Sequence, residues 1–348
     1  MTIQRLLLLA VFCVGVLAVV LLAARQVFAT EPVSPAVVKT SPIAGVSAEV
    51  DAHLRALIDN NLHPGIAVAL IDADGERFVS YGHGAEDGAA IDPDTMFEIG
   101  SITKAFNALM LAEMAERGAV ALYDPVARHL PEGAQVPQRG RPIRLIDLAT
   151  HTSGLPRLPS NMAPADPHNP YVDYSPEMLL DFLAEHRLRR HVGTDYEYSN
   201  LGAGLLGFAL AHRADTSWEA ALRASVLDPL GLKDTTVTLG DALAVRFAKG
   251  HDVLAQPVAA WDLTTLAGAG ALRSSARDMA AFVAFNLGLR DSRLLAAMRS
   301  THAQQVDSPM AGGGIGLGWH LRHTDDATIV WHNGGTAGFR SFAGFIAE

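Results

Sequence analysis

The sequence predicts an α/β protein in which an antiparallel sheet, flanked by helices and built from both termini, receives an inserted, mainly helical domain. Three observations carry this. Alternating segments joined by a tight turn occur near the start, strand-like segments return only near the end, and the stretch between has helical composition punctuated by Pro, Gly and His. No internal repeat is visible.

In chain order, Leu6 to Ala24 is free of charged side chains, follows Arg5 and precedes Val27-Phe28-Ala29, where small residues alternate. This pattern is read as a signal peptide over residues 1–29, or as an uncleaved N-terminal anchor, since the run is long enough to span a bilayer. Residues 30–46, rich in Pro, Val, Ser and Ala, form the expected linker. Val50, Leu54, Leu57 and Ile58 recur at helical spacing. Ile66 to Ile71 and Arg77 to Tyr81 flank Asp72-Ala73-Asp74-Gly75, a hairpin signal. Ser101 to Arg117 carries a helical stripe ending at Gly118, and further helices are expected at Leu145 to Leu148, Pro176 to Glu185, Ala203 to His212, Trp218 to Leu227 and Ala276 to Leu287. Strands are expected at Gly318 to Leu321, Thr328 to His332 and Phe339 to Ile346. The sheet domain therefore takes residues 47–98 and 315–348, and the helical domain residues 99–314.

Composition narrows the chemistry. The 348 residues hold 37 acidic and 27 basic side chains, a formal charge of -10 that repels a phosphate backbone, so no nucleic-acid partner is expected. The single cysteine, Cys13, lies in the apolar N-terminus, which excludes a disulfide framework, a Cys-ligated zinc and a cysteine nucleophile in the folded part. The 14 histidines include no His-Glu-x-x-His arrangement, and no Gly-x-Ser-x-Gly elbow occurs. What remains is chemistry on Ser, Lys, Tyr, His or carboxylates.

Three segments could carry it. In Phe97-Glu98-Ile99-Gly100-Ser101-Ile102-Thr103-Lys104 a serine opens a helix and a lysine follows on the same face. Desolvation on an apolar helix lowers a lysine pKa towards that of a useful base, and a helix start favours negative charge developing beside the hydroxyl. The bland alternative is a helix-capping Ser101 and a snorkelling Lys104. In Tyr196-Glu197-Tyr198-Ser199-Asn200 an extended backbone points Tyr198 and Asn200 the same way, a phenol for proton exchange and an amide for a lysine or a substrate carbonyl; a half-buried structural tyrosine is the alternative. In Trp331-His332-Asn333-Gly334-Gly335 a strand ends on glycines that admit a ligand close to the backbone, or that simply turn a hairpin.

In this order and at these separations, the three segments resemble the active-site signature of the penicillin-recognising serine hydrolases, the group of class C β-lactamases, D-alanyl-D-alanine carboxypeptidases and related esterases. The resemblance runs from Val50 to the C-terminus and takes in Gly65 to Ala69, Leu148-Ala149-Thr150-His151-Thr152-Ser153-Gly154-Leu155-Pro156, Gly268 to Ser274 and Gly316-Leu317-Gly318-Trp319. It implies a β-lactamase/transpeptidase-like fold, a nucleophile at Ser101, proton transfer by Lys104 and Tyr198, and substrate binding by Asn200, His332, Asn333, Gly334 and Gly335. Backbone N–H groups of Ser101 and Gly335 are the implied oxyanion donors. The lactamases of this group usually present Lys-Thr-Gly where this chain has His332-Asn333-Gly334, so carboxylate recognition at that motif is expected to be weaker. The sequence stops at Glu348 within the strand after that motif, short of the group's final strand and helix, an end that predicts marginal stability.

The expected activity is that of an exported, periplasmic serine hydrolase forming an acyl-enzyme on Ser101 and hydrolysing an amide or ester bond of a β-lactam or D-alanyl peptide. The alternatives are a small-ester esterase of the same family and a non-hydrolytic penicillin or peptidoglycan binder. No cofactor or metal is called for, the partner is a small-molecule or peptide substrate, and a membrane is met only through the N-terminal segment.

Overall fold

The computed structural model describes residues 46–84, 88–309 and 312–347. The expected signal segment and all but the last residue of the linker lie outside them. Helix α1 (Ala48–Asp59) starts at Ser47, whose hydroxyl accepts the Val50 N–H. The hairpin β1 (Gly65–Asp72) and β2 (Gly75–Gly82) follows in full register from Gly65 opposite Gly82 to Asp72 opposite Gly75. Gly75 takes φ +125°, which the two-residue turn requires.

A three-residue strand β3 (Met96–Glu98) leads to a single 3-10 turn, Gly100–Ile102, and then to α2 (Thr103–Glu116). Helix α2 is buried from Thr103 to Met114, so it is the central post of the molecule and not a surface helix. The helices α3 (Leu145–Ala149), α4 (Pro176–Glu185), α5 (Asn200–Arg213) and α6 (Trp218–Leu222) follow, with α5 and α6 packed directly on α2. Strand β4 (Arg273–Ser275) pairs antiparallel with β3, and α7 (Ala276–Asn286) and α8 (Leu295–His302) complete the helical part.

The C-terminal sheet has five antiparallel strands: β5 (Val306–Asp307), β6 (Gly313–Ile315), β7 (His320–His323), β8 (Thr328–Gly335) and β9 (Arg340–Ala347), each beside the next. On β8 and β9 the period-two pattern is explicit: Val330, Ala343 and Phe345 are buried while Phe342 and Ile346 face out. Phe106, Phe282 and Trp319 stack in a row that joins α2, α7 and the segment before β7. One continuous core thus runs through helices and sheet.

The α/β class stands, with β-structure from both ends of the chain. The details differ in three places. The hairpin and the five strands carry separate hydrogen-bond ladders, with α7 packed against both β1 and β9. Strands β3, β4, β5 and β6 were not expected, because two or three residues are too few to show alternation. Helix α8 was also missed, and the helix expected from Trp218 to Leu227 gives way at Arg223 to a π-turn ending at Leu227.

Candidate active site

Ser101 lies in the 3-10 turn and not at a helix cap. The residue at the cap of α2 is Ile102, and the Ser101 side chain caps nothing. Its position is fixed instead by its neighbours: Ile99 donates its N–H to Leu272 O at 3.0 Å, and Gly100 takes φ +48° with its backbone against β8. A Cβ at Gly100 would stand 2.7 Å from the Gly335 nitrogen, a contact that only glycine permits. The backbone of Gly100, next to Ser101, is thereby brought against that of Gly335. Gly334 is equally constrained, since a Cβ there would collide with the Ile99 carbonyl.

One turn along α2, Lys104 is 3 % exposed, and its Nζ lies 3.0 Å from Ser101 Oγ, 2.9 Å from Asn200 Oδ1 and 2.6 Å from the Ala269 carbonyl. Burial, helped by the Arg157 charge, drives the Lys104 pKa well below the ordinary lysine value. All three neighbours are oxygens that accept from Nζ; once the amine is neutral, two N–H bonds suffice for the two carbonyl oxygens and the lone pair is left for the serine hydroxyl. The snorkelling alternative is thereby excluded.

Tyr198 and Asn200 arrive from the start of α5, as their spacing suggested. Asn200 gives Oδ1 to Lys104 and donates Nδ2–H to the Tyr171 hydroxyl at 3.3 Å. The Tyr198 ring lies 4.8 Å from Lys104 Nζ. Burial pushes the Tyr198 pKa up to about 12, and interaction with the Ser101 hydroxyl opposes part of that shift. The site thus pairs a lysine that loses its proton easily with a phenol that keeps one.

His332, from β8, is 2 % exposed, its Nδ1 2.7 Å from the Asn333 carbonyl and its ring 6.2 Å from the Tyr198 ring. Burial and the neighbouring His320 and Lys104 hold its pKa well below the usual histidine value. The ring is therefore neutral, and the residue forms an uncharged wall. Asn333 and Gly335 are exposed along the same strand end, while Gly334 is buried.

Sequence reasoning passed over three more residues. His151, at φ +60°, accepts the Ser199 N–H on Nδ1 at 3.1 Å and the Glu197 N–H on its carbonyl at 2.8 Å, and its ring lies 4.5 Å from that of Tyr198. A residue 48 positions upstream therefore clamps the Tyr198 segment from both sides. The His320 ring lies 4.9 Å from that of His332, tilted by 40°, with its pKa lowered by burial to about 4. Arg157 lies over the Tyr198 ring, its guanidinium carbon 5.2 Å from the centroid. The Leu148 to Pro156 segment was visible as part of a resemblance, but no local pattern tied it to a tyrosine.

The beta-lactamase family profile matches residues 50–348, nearly all of the described chain. The chain belongs to the beta-lactamase family. Within that family it is 31% identical over 304 residues to the D-alanyl-D-alanine-carboxypeptidase/endopeptidase AmpH of Escherichia coli K12, covering 82% of this chain and 76% of the relative. It is 26% identical over 279 residues to a beta-lactamase of Pseudomonas fluorescens, covering 77% and 74%. The class C beta lactamase of Rhodobacter sphaeroides superposes with a TM-score of 0.73 at 26% identity, over 85% of this chain and 90% of that one. The protein is accordingly a serine hydrolase of the beta-lactamase family.

Proposed function

We propose that the protein is an exported enzyme that acylates Ser101 and hydrolyses the amide or ester bond of a β-lactam or a D-alanyl peptide. The observation that carries the reading is the buried amine of Lys104, 3.0 Å from Ser101 Oγ, with two carbonyl acceptors for its hydrogens. The neutral amine takes the Ser101 proton as Oγ bonds to the substrate carbonyl carbon. The oxyanion forms between the N–H groups of Ser101 and Gly335, and Asn200, beside Lys104, and Asn333, at the exposed end of β8, meet the substrate. The C–N or C–O bond then breaks with its electron pair leaving on nitrogen or oxygen, which takes the Tyr198 hydroxyl proton. Lys104 returns its proton to the phenolate. Water attacks the ester on Ser101 with Lys104 again accepting a proton, and as the C–Oγ bond breaks Lys104 gives that proton to Ser101 Oγ and the acid leaves. The buried, neutral His332 contributes shape rather than charge to this site.

Export rests on the apolar stretch Leu6 to Ala24 and the small residues before Thr30. Catalysis is tested by assaying the purified protein on a β-lactam, a D-alanyl-D-alanine peptide and a simple ester. Turnover of a β-lactam or the peptide that disappears in Ser101→Ala is expected; turnover of the simple ester alone assigns the protein to the family's esterases and rejects this reading.

A further inference from the structure

A carboxylate on the substrate would meet no cation on the third segment. His332 and His320 are held neutral by burial, and Lys104 is enclosed with its bonds committed. Arg340 has given Nη1–H to the Thr336 and Phe339 carbonyls at 2.6 and 2.8 Å. Arg157 is different. Its side chain is exposed, lies over the Tyr198 ring and has no carboxylate within ion-pair distance among the described residues. Its backbone is nonetheless fixed: the Arg157 carbonyl accepts the N–H groups of Asn200 at 3.0 Å and Leu201 at 3.1 Å, and Ser199 Oγ donates to the Pro156 carbonyl at 2.6 Å. A free guanidinium on an anchored loop beside the proton donor is placed for recognition, not for stability.

Resting on the acyl-enzyme reading above, we propose that Arg157 is the specificity-determining residue that binds a carboxylate on the leaving-group side of the scissile bond. The geometry follows from Tyr198. The leaving atom must meet the Tyr198 hydroxyl to take its proton, and in an α-amino or α-hydroxy acid the carboxylate sits one carbon from that atom. It therefore emerges beside the Tyr198 ring, where the planar guanidinium can meet it through two N–H bonds. The charge that β8 lacks is supplied by the Arg157 loop beside Tyr198.

The test uses a matched pair, an acyl-D-alanyl-D-lactate with a free carboxylate and the same compound as its terminal carboxamide, with lactate or lactamide release as the readout. Wild type is expected to prefer the acid, and Arg157→Ala to lower the acid-to-amide ratio of kcat/KM about tenfold to a hundredfold, the usual worth of a charged hydrogen bond, through KM and not kcat. Arg157→Lys should restore part of the ratio. An unchanged ratio in Arg157→Ala overturns the proposal, as does an equal loss on both substrates. If the acyl-enzyme reading itself were at fault, wild-type turnover would persist in Ser101→Ala, an outcome separate from either.

Discussion

Asn200→Asp tests the protonation state of Lys104 without changing the shape of the side chain. The substitution places a carboxylate oxygen 2.9 Å from the Lys104 amine, in a site where that amine is kept neutral by burial. Two unit charges 4 Å apart attract by about 4 kcal/mol at the effective dielectric of a protein site, and desolvation of the new carboxylate offsets part of this. An opposite charge this close typically shifts a pKa by roughly 1 to 3 units, here upward, because it favours the ammonium. Lys104 works in its neutral form, so activity is lost as pH falls through its folded-state pKa. Raising that pKa moves the acidic limb of the kcat/KM profile up by the same roughly 1 to 3 pH units, and lowers the rate below the limb about tenfold to a thousandfold. Raising the pH should recover the rate, since the amine regains its lone pair. The Tyr171 hydroxyl can donate to the new carboxylate, so the local fold has no reason to change. The assay is the pH dependence of kcat/KM on an uncharged chromogenic ester. A variant with the acidic limb unmoved and the rate depressed equally at every pH would refute the neutral-amine argument.

Two further outcomes follow from the same geometry. Tyr198→Phe removes the proton donor for the leaving atom, so hydrolysis of a D-alanyl amide should fall by roughly 10²- to 10⁴-fold, while an ester with a good leaving group loses much less; the measured ratio of the two losses checks it. Gly100→Ala puts a methyl 2.7 Å from the Gly335 nitrogen at φ +48°, and should displace that backbone from Ser101. Its kcat is expected to fall about 10²- to 10³-fold, as when an oxyanion donor is lost, with the circular dichroism spectrum retained; a kcat near that of wild type would show that the close approach is dispensable.

The parts of this site that the sequence made legible are those set by local geometry. Ser101 and Lys104 are three residues apart on a single turn, so helical spacing alone puts them together. Tyr198 and Asn200 were legible as a same-facing pair, because extended backbone repeats every two residues. Their meeting with Lys104 was not, because it depends on α5 packing against α2 across 96 residues of chain. His151 and Arg157 act through the same long-range register, the one clamping the Tyr198 segment and the other lying over its ring. His332 was found by its motif, but the burial beside His320 and Lys104 that keeps its ring neutral is invisible until β7 and β8 are paired. At the level of the fold, the hairpin and long helices showed their periods, whereas β3 and β4, which seat Ser101, are too short to have one.

The most direct measurement of the central claim is peptide-mapping mass spectrometry of the protein quenched in acid during turnover of a β-lactam. An adduct equal to the whole β-lactam on the peptide containing Ser101, absent in Ser101→Ala, is the result the geometry requires. An adduct on Ser153 or Ser199 instead, or one that survives in Ser101→Ala, would contradict it.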